Sequence, residues 1–257
     1  LQTREVLRDL TPVETLPGVD GPGPIGAVAI VTGNPFALAL ESNLLYVADW
    51  GGTTRGSLSI LDVSDPTRPR VVGTYTNNQA EIQGIAVREG RAYLAHDSVG
   101  LTLVDVLSPS NPKWLASRAD SQGATYGHAV ATGSFGSAGA PYVLVGGFYG
   151  ATLDLYDISN PDVLGEPIRY APTSSARDIL DIATANDVGY LLIGDGETWM
   201  GLETVDLAPL PSVPTRLGSL SLPVKTYGAW GKVRLVGTTL YLANSLHTSH
   251  AGGLRVI

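Results

Sequence analysis

The sequence of 257 residues lacks cysteine, contains one methionine and has a charged fraction of only 16%. Without cysteine, disulfide scaffolds, zinc-finger spacings and cysteine nucleophiles are excluded. No hydrophobic run approaches the roughly 18 to 20 residues of a membrane span, so we expect no membrane insertion. Basic residues are scarce as well: 16 lysines and arginines against 24 acidic residues give a net charge of −8, which disfavours nucleic acid as a partner.

Motifs of several enzyme classes are also missing. The sequence has no phosphate-binding loop, no Gly-x-Ser-x-Gly elbow and no His-Glu-x-x-His pair. By contrast, 31 glycines, 17 prolines and a hydrophobic fraction of 44% indicate a folded protein that is rich in turns. The length suits one large all-β domain or two ordinary ones. Because residue 1 is leucine, we expect a processed or partial chain, with any signal peptide removed.

An internal repeat of 47 to 51 residues is the most informative pattern in the sequence. A turn residue lies three or four positions before most of the repeated tyrosines, as expected for a hairpin turn that leads into a strand. The third unit departs from this pattern, with a longer loop from Gly133 to Pro141. Five structural units are therefore predicted, each marked by a tyrosine followed by two apolar residues: Tyr46, Tyr93, Tyr142, Tyr190 and Tyr241.

Within the first four units, a further strand ends at an aspartate. Aspartate starts turns by capping the backbone with its side chain, so we assign these residues a structural role and exclude them from any binding site. A proline and a glycine four residues apart then predict the start of another strand, at Pro69/Gly73, Pro161/Gly165 and Pro214/Gly218. The turn-capping aspartates are Asp62, Asp105, Asp157 and Asp206.

Four short strands per unit are typical of a β-propeller blade, which buries its faces only between neighbouring blades. We therefore predict an all-β, five-bladed β-propeller over residues 22–257, preceded by an N-terminal arm or linker over residues 1–21. The sequence stops on the third strand of the fifth blade, and residues 26–31 are in register with an outer strand. Pairing of these two strands would close the ring and protect both edges. The alternative is a fragment of a larger propeller.

The strand that ends in aspartate resembles a known repeat. Leu61-Asp62-Val63-Ser64-Asp65-Pro66, Gly100-Leu101-Thr102-Leu103-Val104-Asp105-Val106 and Tyr156-Asp157-Ile158-Ser159-Asn160-Pro161 are similar to the LVIVD repeat of bacterial and archaeal proteins. The fourth and fifth units depart from that pattern. The resemblance implies a propeller, an extracytoplasmic location (secreted, periplasmic or at the cell surface) and a role in recognition or scaffolding. It supplies no catalytic residues, and function must be argued from the site itself.

The loops at one end of the predicted ring carry aromatic and charged side chains. Aromatic side chains with polar neighbours stack on sugar rings or anchor peptides, because they offer a large contact area at low entropic cost. Packing between blades is the competing interpretation for each aromatic residue. The candidate ligand-binding residues are Trp50, Glu81, Asp97, Tyr126, Tyr149, Arg177, Glu197, Trp199 and Trp230.

All four histidines fall in the same set of loops. His96, His128, His247 and His250 are candidate ligands for a divalent transition metal, with Asp97 as an additional carboxylate ligand or orienting group. Their scattered spacing is not typical of a metal site, so surface or hydrogen-bonded histidines are the competing interpretation. No other cofactor is indicated.

The function predicted from these patterns is non-catalytic binding or scaffolding outside the cytoplasm. The aromatic and acidic face would receive a glycan, a peptide or a neighbouring subunit, and the N-terminal arm or the sheet edges would allow self-assembly. No catalytic residue is assigned. One alternative is a metal-dependent enzyme that uses the loop histidines. The other is a carbohydrate-active hydrolase that uses two carboxylates from Glu81, Asp97, Asp178, Asp181, Asp195 and Glu197.

Overall fold

The structure is a computed structural model. It describes residues 28, 34–51, 56–76, 81–96, 99–119, 126–172, 176–195, 200–222, 230–245 and 253–257, and for Tyr126, Leu222, Trp230, Asn244, Ser245 and residues 253–255 it describes the backbone only. Over these ranges the regular structure is entirely β, as predicted. None of the described residues belongs to a helix long and apolar enough to cross a membrane.

The described strands form four four-stranded antiparallel sheets and one three-stranded sheet, each built from consecutive strands. The first sheet contains β1 (Pro35–Glu41), β2 (Leu44–Asp49), β3 (Ser57–Asp62) and β4 (Arg70–Thr76). The second contains β5 (Ile82–Arg88), β6 (Arg91–His96), β7 (Gly100–Asp105) and β8 (Lys113–Arg118). The third contains β9 (Tyr126–Phe135), β10 (Ala140–Phe148), β11 (Leu153–Asp157) and β12 (Ile168–Tyr170).

The remaining two sheets follow the same plan. The fourth contains β13 (Asp178–Ala185), β14 (Val188–Gly194), β15 (Met200–Asp206) and β16 (Thr215–Leu222). The fifth contains β17 (Trp230–Val236), β18 (Thr239–Ser245) and β19 (Gly253–Val256). The first strands of successive sheets, β1, β5, β9, β13 and β17, lie side by side in chain order. The sheets are therefore arranged as successive blades, each in contact with the next.

Tight turns explain why the first two strands of each sheet form hairpins. In the second sheet, Glu89 and Gly90 have φ values of 51° and 70°, and in the fourth sheet Asn186 and Asp187 have values of 48° and 59°. Two consecutive residues with positive φ form a turn whose twist matches that of the flanking strands. The turn positions inferred from the repeat are thus confirmed in these two sheets.

The hydrophobic core lies between the sheets. Tyr46 of the first sheet is buried in one cluster with Ile85 of the second, and Tyr93 of the second is buried with Val143 of the third. Side chains alternate across a strand, so each sheet presents one set of apolar residues to the preceding sheet and another to the following sheet. The repeated tyrosines of the first two sheets, Tyr46 and Tyr93, are therefore packing residues between blades.

The four predicted turn caps are confirmed. The Oδ1 atoms of Asp62 and Asp105 accept hydrogen bonds from the backbone N–H groups of Ser64 and Leu107, at 2.9 Å in each case. Asp157 and Asp206 accept equivalent bonds from the residues two positions later, at 2.8 and 3.0 Å. Each carboxylate is thus committed to a local turn.

Two details of the repeat differ from the prediction. Tyr142 lies opposite Asp157, whereas Tyr46 lies opposite Ile60, so the place of the repeated tyrosine in the third sheet is taken by Leu144. The reason is the long hairpin between β9 and β10, which extends the third sheet beyond the others. In the same sheet, the strand expected near Pro161 and Gly165 begins only at residue 168, because residues 161–167 form an irregular connection.

The outward faces of the first and last sheets remain partly open. Leu38 and Leu40 on β1 are 57% and 66% exposed, and Tyr241 on β18 is 37% exposed. Farther out on the same side of the first sheet, Val47 and Leu61 are buried. The predicted closing strand at residues 26–31 lies outside the described residues except for Val28, and so does the N-terminal arm. Ring closure and the number of blades stay predictions.

Candidate functional site

The candidate site lies at the end of the sheets where each first strand begins and each second strand ends. The antiparallel register brings these positions together: Pro35 pairs with Asp49, Ile82 with His96, and Asp178 with Gly194. We call this end the rim. In each of these sheets, the loop before the first strand and the loop after the second strand therefore lie at the same end, as predicted. The reason is that the first two strands pair in the same antiparallel way in each sheet.

A β-bulge interrupts the first strand of four sheets close to the rim. The register shifts between Pro35 and Ala37, and equivalent shifts occur in the next three sheets. A bulge adds one unpaired residue and redirects its side chain. The sequence does not reveal these bulges, because the four side chains share no common chemistry; one of the four residues, His128, was named as a candidate metal ligand. The bulged residues are Phe36, Gln83, His128 and Leu180.

A ladder of rings runs from the bulges out to the rim. The Phe36 and His128 rings lie 6.2 Å apart in an edge-on arrangement, and the His128 ring lies 5.3 Å from that of Phe148. Phe148 in turn contacts Tyr149, edge to face, with centroids 4.4 Å apart. The Arg177 guanidinium completes the ladder at 4.8 Å from the centre of the Tyr149 ring, a distance suited to a cation–π contact.

Tyr149 is held rigidly in an unusual backbone conformation. Its φ of 62° is in the left-handed region, which is unfavourable for a residue with a large side chain. Its backbone N–H donates a 2.7 Å hydrogen bond to Oδ1 of Asp178, and bonds to carboxylates are stronger than those between neutral groups. Nevertheless the side chain is 52% exposed. The Tyr149 backbone is therefore anchored, while its ring is exposed and contacts Phe148 and Arg177.

The backbone around Arg177 is fixed as well. The Arg177 N–H donates to the carbonyl oxygen of Gly194 at 2.7 Å, and its own carbonyl accepts from the N–H of Ala151 at 2.8 Å. These bonds join the third and fourth sheets at the rim, while the side chain itself is exposed. Arg177 and Tyr149 thus present a guanidinium and a phenol ring from one anchored junction.

Asp178 lies beneath the surface at this junction, where it binds the Tyr149 backbone. It is fully buried, and its Oδ2 atom has no hydrogen-bond partner among the described residues. Burial raises the pKa of Asp178, and the nearby Asp195 carboxylate adds to the rise, while the Tyr149 N–H and the Arg177 charge oppose it. A carboxyl group without solvent exposure does not reach a ligand on the rim. Its role is to hold Tyr149, and the candidate hydrolase acid at this position is not positioned to touch a substrate.

The other predicted ligand-binding residues are distributed unevenly. Trp50 and Glu81 lie at the rim of the first and second sheets and are half-buried. Tyr126 and Trp230 begin β9 and β17, where only their backbone is described. Of the nine predicted residues, the structure brings Tyr149 and Arg177 into mutual contact. Asp97, Glu197 and Trp199 lie outside the described residues.

The two described histidines are both buried. His96 ends β6, and His128 lies between the rings of Phe36 and Phe148. Burial lowers the pKa of His128 to about 3, with a smaller contribution from the positive charge of Lys232. His247 and His250 lie outside the described residues. Among the residues that are described, no three metal-ligating side chains converge on a common point, and the four-histidine metal site stays a prediction.

Comparison with known families confirms the predicted repeat. The LVIVD repeat model matches residues 33–77 and 81–118, which correspond to the first and second sheets. No curated protein matches the sequence significantly.

Solved structures with a similar fold come from proteins of low sequence identity. A candidate 6-phosphogluconolactonase from Bacteroides uniformis aligns with a TM-score of 0.66 and 13% identity, covering 89% of this chain and 72% of that one. A second candidate 6-phosphogluconolactonase, from Bacteroides fragilis, aligns with a TM-score of 0.67 and 13% identity, covering 88% and 67%. The computationally designed protein Ika4 aligns with a TM-score of 0.50 and 11% identity, covering 72% and 98%. The chain is a repeat β-propeller, and these likenesses concern the fold alone.

Proposed function

We propose that this propeller is a non-catalytic recognition module that binds a glycan on the rim around Tyr149 and Arg177. The observation that carries the proposal is the conformation of Tyr149, an exposed aromatic residue at positive φ, anchored through its backbone by a buried carboxylate. Backbone strain of this kind costs about 1–3 kcal/mol and persists at sites where function requires a defined geometry. The anchored ring offers a ligand a surface that needs no further ordering.

A glycan suits this surface better than the other ligands that the sequence admits. An exposed aromatic ring stacks on the apolar face of a sugar, and the Arg177 guanidinium beside it donates hydrogen bonds to oxygen atoms. The net charge of −8 disfavours nucleic acid. A peptide ligand remains the alternative, and the binding experiment below distinguishes the two.

An extracytoplasmic location is part of this proposal. It is supported by the matches of the first two sheets to the LVIVD repeat, whose resemblance implied such a location. Fractionation of the source cells, with detection of the protein by a specific antibody, tests it. Recovery from the cytoplasm alone would contradict this part of the proposal.

For the ring itself, two arrangements compete. Among the described residues, β19 is the outer strand of the fifth sheet and pairs only with β18. In the first arrangement, residues 26–31 pair with the other edge of β19 and add a fourth strand. The exposure of Leu38 and Leu40 instead favours a larger ring, in which the fifth sheet does not pack directly on β1. Both arrangements leave the junction between the third and fourth sheets unchanged, so the proposed binding surface does not depend on the choice.

Screening the intact chain on a glycan array, followed by calorimetric titration of each hit, tests the proposed function. We expect Tyr149→Ala to weaken binding at least tenfold, because an aromatic hot-spot residue contributes about 2 kcal/mol or more and about 1.4 kcal/mol already corresponds to a factor of ten. Trp114→Ala is a matched control, since Trp114 is 57% exposed but lies on the outer strand β8.

Several outcomes would overturn the proposal. It fails if no glycan binds, if binding survives Tyr149→Ala, or if only peptides are retained. If chromatography detects shortened sugars released from a bound glycan, the protein is a hydrolase and the non-catalytic binding role is wrong.

A further inference from the structure

Arg177 differs from most arginines of the described chain in how its charge is used. Arg70, Arg91 and Arg169 each form a hydrogen-bonded ion pair with an aspartate. Arg177 has no ion pair with any described residue, and its recorded side-chain contact is the Tyr149 ring. Its side chain is exposed, and its backbone is bonded on both sides. Within the described part of the chain, the anchored and exposed Arg177 guanidinium therefore has no paired anion.

The chemistry of a guanidinium on an aromatic ring favours one type of partner. Guanidinium groups carry five N–H donors in a planar fork that matches the two oxygens of a carboxylate. Stacking on a ring restricts the side chain and reduces the entropy lost when that fork binds. Lysine offers neither the fork nor comparable stacking.

The surrounding charge limits how acidic the ligand is. The whole chain carries a net charge of −8, and Asp178, which follows Arg177 in the sequence, interacts electrostatically with both Arg177 and Asp195. A densely charged polyanion would be repelled at long range, since like charges reduce the rate and strength of association. A sugar that brings one carboxylate to Arg177 while its ring lies on Tyr149 avoids most of this repulsion.

We infer that the Tyr149–Arg177 pair recognises the carboxylate of a uronic acid residue within the bound glycan. The inference rests on the proposed function and adds the chemical class of the ligand. The sugar ring stacks on Tyr149, and the carboxylate accepts hydrogen bonds from the Arg177 fork. No covalent step is involved.

A matched pair of ligands tests this inference on the intact chain. Digalacturonate and its dimethyl ester share the same sugar rings but differ in negative charge. In isothermal titration calorimetry at one salt concentration, we expect the acid to bind at least tenfold more tightly than the ester. Arg177→Gln should abolish this preference and Arg177→Lys should reduce it, because a charged hydrogen-bonded pair contributes more than a neutral one.

The control is Arg68→Gln, because Arg68 is an exposed arginine in the turn between β3 and β4, at the opposite end of the sheets from the rim. Circular dichroism should show that each variant keeps the wild-type fold. Equal affinity for acid and ester overturns the inference and leaves the proposed function intact, provided that neutral sugars bind through Tyr149. Binding of neither ligand overturns the inference, and the array result then decides the proposed function separately. If a short peptide with a free carboxyl terminus binds and the uronate does not, Arg177 recognises a peptide carboxylate, and the uronate inference is overturned.

Discussion

At the scale of single residues, the rim contains two buried ionisable side chains whose pKa values are shifted in opposite directions. Burial lowers the pKa of His128 and raises that of Asp178. Desolvation penalises the charged form of either group, which explains the opposite directions.

His128 should make the protein less stable in mild acid. Its pKa is about 3 in the folded protein and about 6.5 in an unfolded chain. Between these values the unfolded chain binds a proton that the folded protein does not, so stability falls as the pH decreases. Compared with His128→Phe, we expect the wild type to lose about 1 kcal/mol more per pH unit between pH 6 and pH 4. Urea unfolding at each pH measures this, and parallel curves for the two proteins would contradict the assignment.

At the scale of strands and turns, close contacts between sheets restrict what the repeat can vary. A Cβ atom added at Gly73 would clash with the backbone oxygen of Pro109, in the turn that follows β7. Gly218 occupies the corresponding place in the fourth sheet, where the nearest atom is the Thr204 hydroxyl at 3.6 Å. The glycine of the proline–glycine motif therefore packs tightly against the next sheet in one case and faces open space in the other.

This difference predicts that the same substitution destabilises the protein at Gly73 but has little effect at Gly218. Gly73→Ala should lower the free energy of unfolding by about 1–3 kcal/mol, because the backbone of the second sheet must move away. Gly218→Ala should change it by less than about 0.5 kcal/mol, since the added methyl group meets open space. Chemical denaturation of both variants provides the comparison. Equal destabilisation would show that the close approach at Gly73 is absent in solution.

At the scale of the whole molecule, successive sheets are joined by one recurring contact. The second residue after each bulge faces the preceding sheet: Ile85 and Ile182 are buried at this position, whereas Leu38 is exposed in the first sheet. Polar bonds reinforce the junctions, such as those from the Glu89 and Gly90 N–H groups to the Glu41 carboxylate. Among the described residues, the first sheet has no such contact on its outward side. The degree to which Leu38 is buried in solution therefore indicates whether another sheet packs on the first sheet to complete the ring.

Alanine substitutions at equivalent positions test the ring as a whole. Ile182→Ala should cost about 2–5 kcal/mol of unfolding free energy, as for other buried aliphatic side chains. Leu38→Ala should cost less than about 1 kcal/mol, because the side chain is 57% exposed. Thermal and urea unfolding of the two variants decide the matter. If Leu38→Ala proves as costly as Ile182→Ala, the fifth sheet packs on the first in solution and the ring is closed by direct contact.

Part of the candidate site was predictable from the sequence, and the rest was not. Loop lengths and the repeat placed Tyr149 and Arg177 at the same end of neighbouring sheets, because hairpin connections alternate between the two ends. The contact between them, the positive φ of Tyr149 and the role of Asp178 depend on how the third and fourth sheets pack. Asp178 was grouped with candidate acids, since composition does not distinguish a buried carboxylate from an exposed one.

By itself, the sequence determined the all-β class, the repeat of four strands, the capping role of Asp62 and its equivalents, and the packing role of most repeated tyrosines. These features are local: a turn cap reaches two residues, and strand pairing follows from hairpins of neighbouring segments. Only the tertiary structure decided that His128 is buried between two rings and that the bulged side chains lie beneath the rim. These features depend on contacts between residues far apart in the chain, which leave no periodic signal in the sequence, and burial between sheets sets their chemistry.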